Sequence, residues 1–104
     1  MDEYAWPAGP RVPAPDVVLG SWAATVAALP VGARVTGEVV GRQPFGIFIL
    51  FDGVPNAIGL AEITAMPPGM ELPALGAHVA GEVFWHSHNL QVRIRLDDWK
   101  DPAE

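Results

Sequence analysis

The sequence predicts an all-β fold, a closed barrel of five short strands, with a short helix in front of it. Three observations support this prediction. The spacing of apolar residues changes from helical to alternating after Val31. Clusters of glycine, proline and asparagine divide the following region into short runs. A proline-rich gap over residues 65–76 separates the third run from the fourth. Short alternating strands between such turn signals are typical of a small barrel.

The first segment, residues 1–15, is rich in proline. Each proline fixes φ and removes a backbone donor, so this segment predicts a flexible or polyproline-like leader. We expect its two aromatic residues, Tyr4 and Trp6, to fold back on the barrel or to lie in solvent.

The second segment, residues 16–30, predicts a helix that Pro30 ends. Asp16 is the expected N-cap, with Ser21 as a later alternative. The apolar residues recur at helical spacing: Val18, Trp22, Val26 and Leu29. Because this stripe has to be covered, we expect the helix to pack against the barrel.

The barrel itself is predicted over residues 31–96. Its strands are expected at 35–39, 45–51, 58–64, 77–85 and 90–96. Five short strands with a gap between the third and the fourth are typical of the oligonucleotide-binding (OB) barrel. Alternation along the last strand predicts an outward set: Gln91, Arg93 and Arg95. Residues 97–104 form an acidic tail.

Composition limits the classes of function. At 104 residues the chain has room for one domain, and it has no cysteine for a disulfide or a thiolate site. His86 and His88 stand two apart without a cysteine nearby and make a poor zinc site, so we expect no metal and no cofactor. The sequence contains no phosphate-binding glycine loop and no serine elbow, and we do not expect an enzyme.

The longest stretch without charge is Val17–Leu29. It is too short to span a bilayer. A secretory signal would begin with basic residues, whereas this chain begins Met1-Asp2-Glu3. We therefore expect a cytoplasmic protein without membrane contact.

The formal net charge is −6, which by itself argues against a nucleic-acid partner. The excess of negative charge lies mainly at the two ends of the chain. Residues 31–96 are nearly balanced: Glu38, Asp52, Glu62, Glu71 and Glu82 stand against Arg34, Arg42, Arg93 and Arg95. A barrel of this kind can bind bases by stacking but gains little from counterion release.

Three runs carry a resemblance to a known family: Val31–Val39, Phe45–Ile49 and Gly59–Thr64. In this order and spacing, and with Gln91–Leu96 after them, they resemble the S-one domain. That domain is the RNA-binding barrel repeated in the largest small-subunit ribosomal protein of bacteria and found in several ribonucleases and translation factors. The resemblance covers residues 31–96.

The resemblance implies an RNA-binding face on the second and third strands. It places Phe45 and Phe48 where two aromatic residues of the family stack bases. Glu62 stands where the family often has a histidine, and Gln91 where it has an arginine. The other residues expected around this face are Arg42, His86, His88, Arg93 and Arg95.

Two hypotheses follow from these residues. The first is weak, largely sequence-independent binding of single-stranded RNA by stacking on Phe45 and Phe48. The second is a protein-interaction module, with a homodimer as one version, that uses the same face and no longer binds RNA. In the first hypothesis the stacking surface is open to solvent. The alternative is that the leader or a partner chain covers Phe45 and Phe48.

Overall fold

The computed structural model describes residues 6–99, so the outer parts of the predicted leader and tail, residues 1–5 and 100–104, lie outside the described residues. Two short helices come first, α1 (Pro15–Gly20) and α2 (Trp22–Ala28). The five strands follow: β1 (Arg34–Gln43), β2 (Gly46–Phe51), β3 (Gly59–Glu62), β4 (His78–His86) and β5 (Val92–Leu96). Single 3-10 turns occupy Ile63–Ala65 and Asp97–Trp99.

The strands close into a barrel in the order β1-β2-β3-β5-β4, with β4 pairing back onto β1. Neighbouring strands are antiparallel, except that β3 and β5 are parallel. The predicted five-stranded OB barrel is therefore confirmed. The first strand is longer than predicted, because it continues to Gln43 through a bulge between Val39 and Gly41.

The interior of the barrel is filled by the alternate residues of each strand, as the pleat requires. On β2 these are Ile47, Ile49 and Phe51, and on β5 they are Val92, Ile94 and Leu96. Trp99 and Leu29 close the core from the segments that flank the barrel. Part of the predicted acidic tail therefore belongs to the folded domain.

The helical segment differs from the single helix predicted. It is divided at Ser21, whose φ of −105° and ψ of 3° lie outside the helical range. Ala14, not Asp16, is the N-cap of α1, and neither helix has a side-chain cap. Gly20 ends α1 because glycine has the largest backbone entropy to lose in a helix.

Neither helix within residues 6–99 is long and apolar enough to cross a membrane.

Two glycine substitutions test this account of the fold. A Cβ at Gly20 would meet no heavy atom within 4 Å, so Gly20→Ala should stabilise the protein by about 0.5–1 kcal/mol. A Cβ at Gly37 would lie 2.5 Å from the Leu50 carbonyl oxygen, so Gly37→Ala should destabilise it by about 1–3 kcal/mol. Urea unfolding of the two variants checks both signs. Equal effects would contradict the close approach of β1 and β2.

Candidate nucleic-acid interface

The outer face of β2 carries a second apolar cluster, separate from the barrel core. Phe48, Ile58 and Leu60 form its buried centre, and each has 0% of its surface exposed. We call this group, with the residues packed against it, the outer cluster. The residues packed against it are Trp6, Val12, Val40 and Phe45. Phe48 thus points away from the barrel interior, yet it is not accessible to solvent.

Phe45 and Phe48 meet edge to face, with ring centroids 5.9 Å apart and planes at 84°. Strict alternation would place Phe45 on the same side as Ile47, inside the barrel. Gly46, between them, has φ of +153°, which L side chains rarely adopt. This conformation accounts for Phe45 joining the outer cluster.

Residues 6–13, which we call the strap, lie over this cluster. The Trp6 Nε1–H donates to the Pro13 carbonyl at 2.8 Å, and the Val12 N–H donates to the Gly9 carbonyl at 3.2 Å, so the strap is folded on itself. Pro7 is buried beside Gly41. The strap, together with Val40, Ile58 and Leu60, covers Phe48, while Phe45 stays half-buried.

An ion pair ties the strap to β1. The Arg11 guanidinium donates to both carboxylate oxygens of Glu38, with Nη1 3.0 Å from Oε1. This hydrogen bond lowers the pKa of Glu38 and raises that of Arg11. Because the pKa of Glu38 is lowered, its contribution to holding the strap is present at neutral pH and is lost as the pH falls through that lowered value. The pair is exposed, so its contribution is small.

Glu62 and Arg93 form a second ion pair, directly beside the outer cluster. The Arg93 side chain is only 7% exposed and donates to Glu62 Oε1, and also to Ser87 Oγ at 3.5 Å. The parallel contact of β3 and β5 brings the two residues together, since Arg93 pairs with Leu60. Arg93 lies on the outer side of β5, as the alternation predicted, but it is buried there and neutralised by Glu62.

The β4–β5 hairpin holds three of the predicted residues. His86 Nε2–H donates to the Leu29 carbonyl at 2.6 Å, and its ring meets Trp22 edge to face, so it links α2 to the barrel. Gln91 is buried and accepts a hydrogen bond at 3.2 Å from the Asn89 amide. His88 is exposed at the turn.

The two remaining arginines lie outside the outer cluster. Arg42 is exposed and donates to the Leu72 carbonyl at 3.1 Å. Arg95 is half-buried on β5, opposite Glu82 of β4. Of the predicted residues, the structure thus brings together Phe45, Phe48, Glu62 and Arg93.

Two exposed rings were not among the predicted site residues. Phe84 is 44% and Trp85 59% exposed, although both belong to β4. The sequence contained one signal for them, since two adjacent large aromatic residues in a strand cannot both fill the interior of a regularly alternating barrel.

A separate cavity lies away from the outer cluster. It has a volume of about 870 Å³ and is bounded by the 70–80 segment and the turn at Asp97–Trp99. Its charged lining includes Glu71, Asp97 and Asp98, which does not suit a phosphate group. Within residues 6–99, no three histidine or acidic side chains are grouped as a metal site would need.

The sequence matches no protein-family model and no curated protein. Its fold is similar to that of solved structures. Residues covering 78% of the chain match Mycoplasma genitalium RNase R in its apo form, with 16% identity and a TM-score of 0.62. The match covers only 15% of that much longer protein.

Two smaller proteins also match, each over 73% of this chain. The uncharacterized protein MJ1198 of Methanocaldococcus jannaschii matches over 97% of its structure, with 16% identity and a TM-score of 0.55. The solution structure of GSP13 from Bacillus subtilis matches over 64%, with 24% identity and a TM-score of 0.53. All three identities are below 25%, and the likeness is one of fold. The class of protein is that of small OB barrels.

A glycine pair tests the backbone that turns Phe45 outward. A Cβ at Gly46 would collide with the Ala61 carbonyl oxygen, whereas a Cβ at Gly53, which also has positive φ, would meet nothing within 4 Å. We expect Gly46→Ala to destabilise the fold by about 2–4 kcal/mol and Gly53→Ala by about 1 kcal/mol. Thermal unfolding of both variants measures the difference. A Gly46→Ala variant as stable as Gly53→Ala would show that the backbone there is not constrained.

A charge-removing pair tests the buried ion pair. Glu62→Gln leaves the Arg93 charge without a counter-charge, so we expect a loss of about 1–3 kcal/mol in the free energy of unfolding. Arg34→Gln removes an exposed pair with Asp97 and should cost less than about 1 kcal/mol. Urea unfolding compares them. If the exposed pair cost as much as the buried one, the interpretation of Glu62 would be wrong.

Proposed function

We propose that this protein binds single-stranded RNA weakly and with little sequence preference, by stacking bases on Phe45 and Phe48. The observation that carries the proposal is the edge-to-face pair of these two rings on the outer face of β2, outside the barrel core. The S-one domain, which the sequence resembles, places its base-stacking aromatic residues on this face. One neighbour in fold is an RNase R, and ribonucleases are among the proteins in which that domain is found.

Trp6 gives further support to a stacking function. Its indole packs against the outer cluster, so this surface already accommodates one flat aromatic group. A base would take a similar place, and stacking of this kind is worth on the order of 1–3 kcal/mol per base. The strap and the RNA therefore compete for one surface, and RNA binds when the strap leaves it.

The charges around the face explain why binding is weak. Arg93 is neutralised by Glu62, and the whole chain carries a net charge of −6. With few cations available, the affinity should lie near the weak end of the roughly 10⁻⁴–10⁻⁶ M that is typical of non-specific binding. Its dependence on salt should be shallow for the same reason.

The second candidate function is a protein-interaction module, or a homodimer, at the same face. The observation that favours it is an apolar cluster beside the Glu62–Arg93 ion pair, because a pair whose charges cancel offers a phosphate little attraction. A protein partner at this face would have to displace the strap as well. Light scattering and RNA titration on the same sample distinguish the two functions.

Removal of the Trp6 ring should raise the affinity for RNA, because it weakens the binding of the strap, which competes with RNA for the outer face of β2. We expect Trp6→Ala to bind fluorescein-labelled oligouridine at least about fivefold more tightly than the wild type, as measured by anisotropy at low salt. Phe45→Leu in the Trp6→Ala background should reverse the gain, since it keeps the apolar volume but removes the stacking ring.

Val17→Ala, on an exposed position of α1, is the matched control and should leave binding unchanged. Thermal unfolding of each variant shows that the barrel is intact. The proposal fails if Trp6→Ala binds no RNA, or if binding survives in full after Phe45→Leu.

A further inference from the structure

We propose that Phe84 and Trp85 form a second stacking site for the bases of a single-stranded nucleic acid. It lies at the end of the binding face that the strap leaves open. This inference rests on the proposed function, because it extends the same face from β2 to β4.

A bulge in β4 turns both rings outward. The register of β4 against β5 shifts between Val83, which pairs with Ile94, and Trp85, which pairs with Arg93. Phe84 is the extra residue at this shift. Val83 has no exposed surface, while Phe84 and Trp85 are 44% and 59% exposed. Bulges of this kind redirect side chains and are frequent beside functional sites.

The register of the barrel places Trp85 in line with the outer cluster. Phe48 pairs with Leu60, Leu60 with Arg93, and Arg93 with Trp85. Residues paired in this way point to the same face of a sheet. These four side chains therefore form one row across β2, β3, β5 and β4, which spans at most roughly 14 Å at the usual distance between strands. A short single strand crossing the barrel would pass along this row.

The side chains of this row are better suited to contact nucleic-acid bases than to contact an aliphatic surface. Its exposed end consists of aromatic rings, which offer a flat face to any base. The cations nearby on β5 are Arg93 and Arg95. His86 follows Trp85 directly, and His88 lies two residues further on. Each arginine has an acidic neighbour: Glu62 forms an ion pair with Arg93, and Glu82 lies opposite Arg95 on β4. The open end of the row is thus less acidic than the chain as a whole. The β4–β5 loop lies beside it, and this loop belongs to the region where OB barrels bind oligonucleotides.

The test compares two substitutions of Trp85 in the oligouridine titration. Trp85→Leu keeps an apolar side chain but removes the ring, and it should weaken binding about tenfold. Trp85→Phe keeps a ring and should weaken it less than about threefold. The matched control is Leu19→Ala, at an exposed apolar position of α1, which should have no effect. Each substitution is also made in the Trp6→Ala background, where the same ratio is expected.

The outcomes separate this inference from the proposed function. If Trp85→Leu binds like the wild type while Phe45→Leu binds more weakly, the second site is wrong and the proposed function stands. If Trp85→Leu weakens binding and Phe45→Leu does not, the second site stands and the role of Phe45 is wrong. If neither the wild type nor Trp6→Ala binds oligouridine, both are wrong. A dimer that Trp85→Leu converts to a monomer, with RNA binding unchanged, would overturn the second site in favour of a contact between copies of the chain.

Discussion

Burial of β2 on both of its faces is the constraint on which the rest of the structure depends. Its alternate residues Ile47, Ile49 and Phe51 fill the barrel, while Phe48 lies in the outer cluster. A strand of an antiparallel sheet commonly leaves one face to water. Here the second face is apolar too, and the strap covers it. The same rings that make the face suitable for bases therefore make it adhesive for the chain's own Trp6.

The opposite charges of Arg93 and Glu62 on the outer face cancel, and this limits the ligands that the face can bind. Arg93 is nearly buried, and its counter-charge, Glu62, stands one strand away. A buried guanidinium without a counter-charge would destabilise the fold, so the carboxylate that cancels the attraction of Arg93 for a phosphate is also needed by the barrel. Under the proposed function, recognition at this face comes from stacking because the charges of Arg93 and Glu62 already satisfy each other. The weak affinity that we propose would then follow from the ion pair that links β3 to β5.

Alternation and turn signals were sufficient to predict the barrel, because it depends on local spacing, while the place of Phe48 on the outer face followed from the resemblance. The pairing of Glu62 with Arg93 could not be predicted in this way. It arises from the parallel contact of β3 and β5, which joins residues 31 positions apart. The division of the helix at Ser21 and the outward turn of Phe84 depend on backbone irregularities. A regular pattern does not reveal these.

The sequence left two places open for the leader, folded back on the barrel or in solvent, and the structure shows the first, with Trp6 and Val12 packed on the outer cluster. The physical reason why the sequence did not decide between them bears on the function of the strap. The hydrogen bonds of its backbone described within residues 6–13 are internal, as from Val12 to Gly9, and none is made to a strand. It is held to the barrel by ring contacts and by one exposed ion pair, Arg11 with Glu38. A segment without ladder hydrogen bonds has no register to fix, so its sequence does not specify where it docks. For the same reason it can leave the face without exposing unpaired strand donors, which would otherwise make displacement costly. If RNA binds at this face as proposed, a competing base has to replace only apolar contact and a weak charge pair.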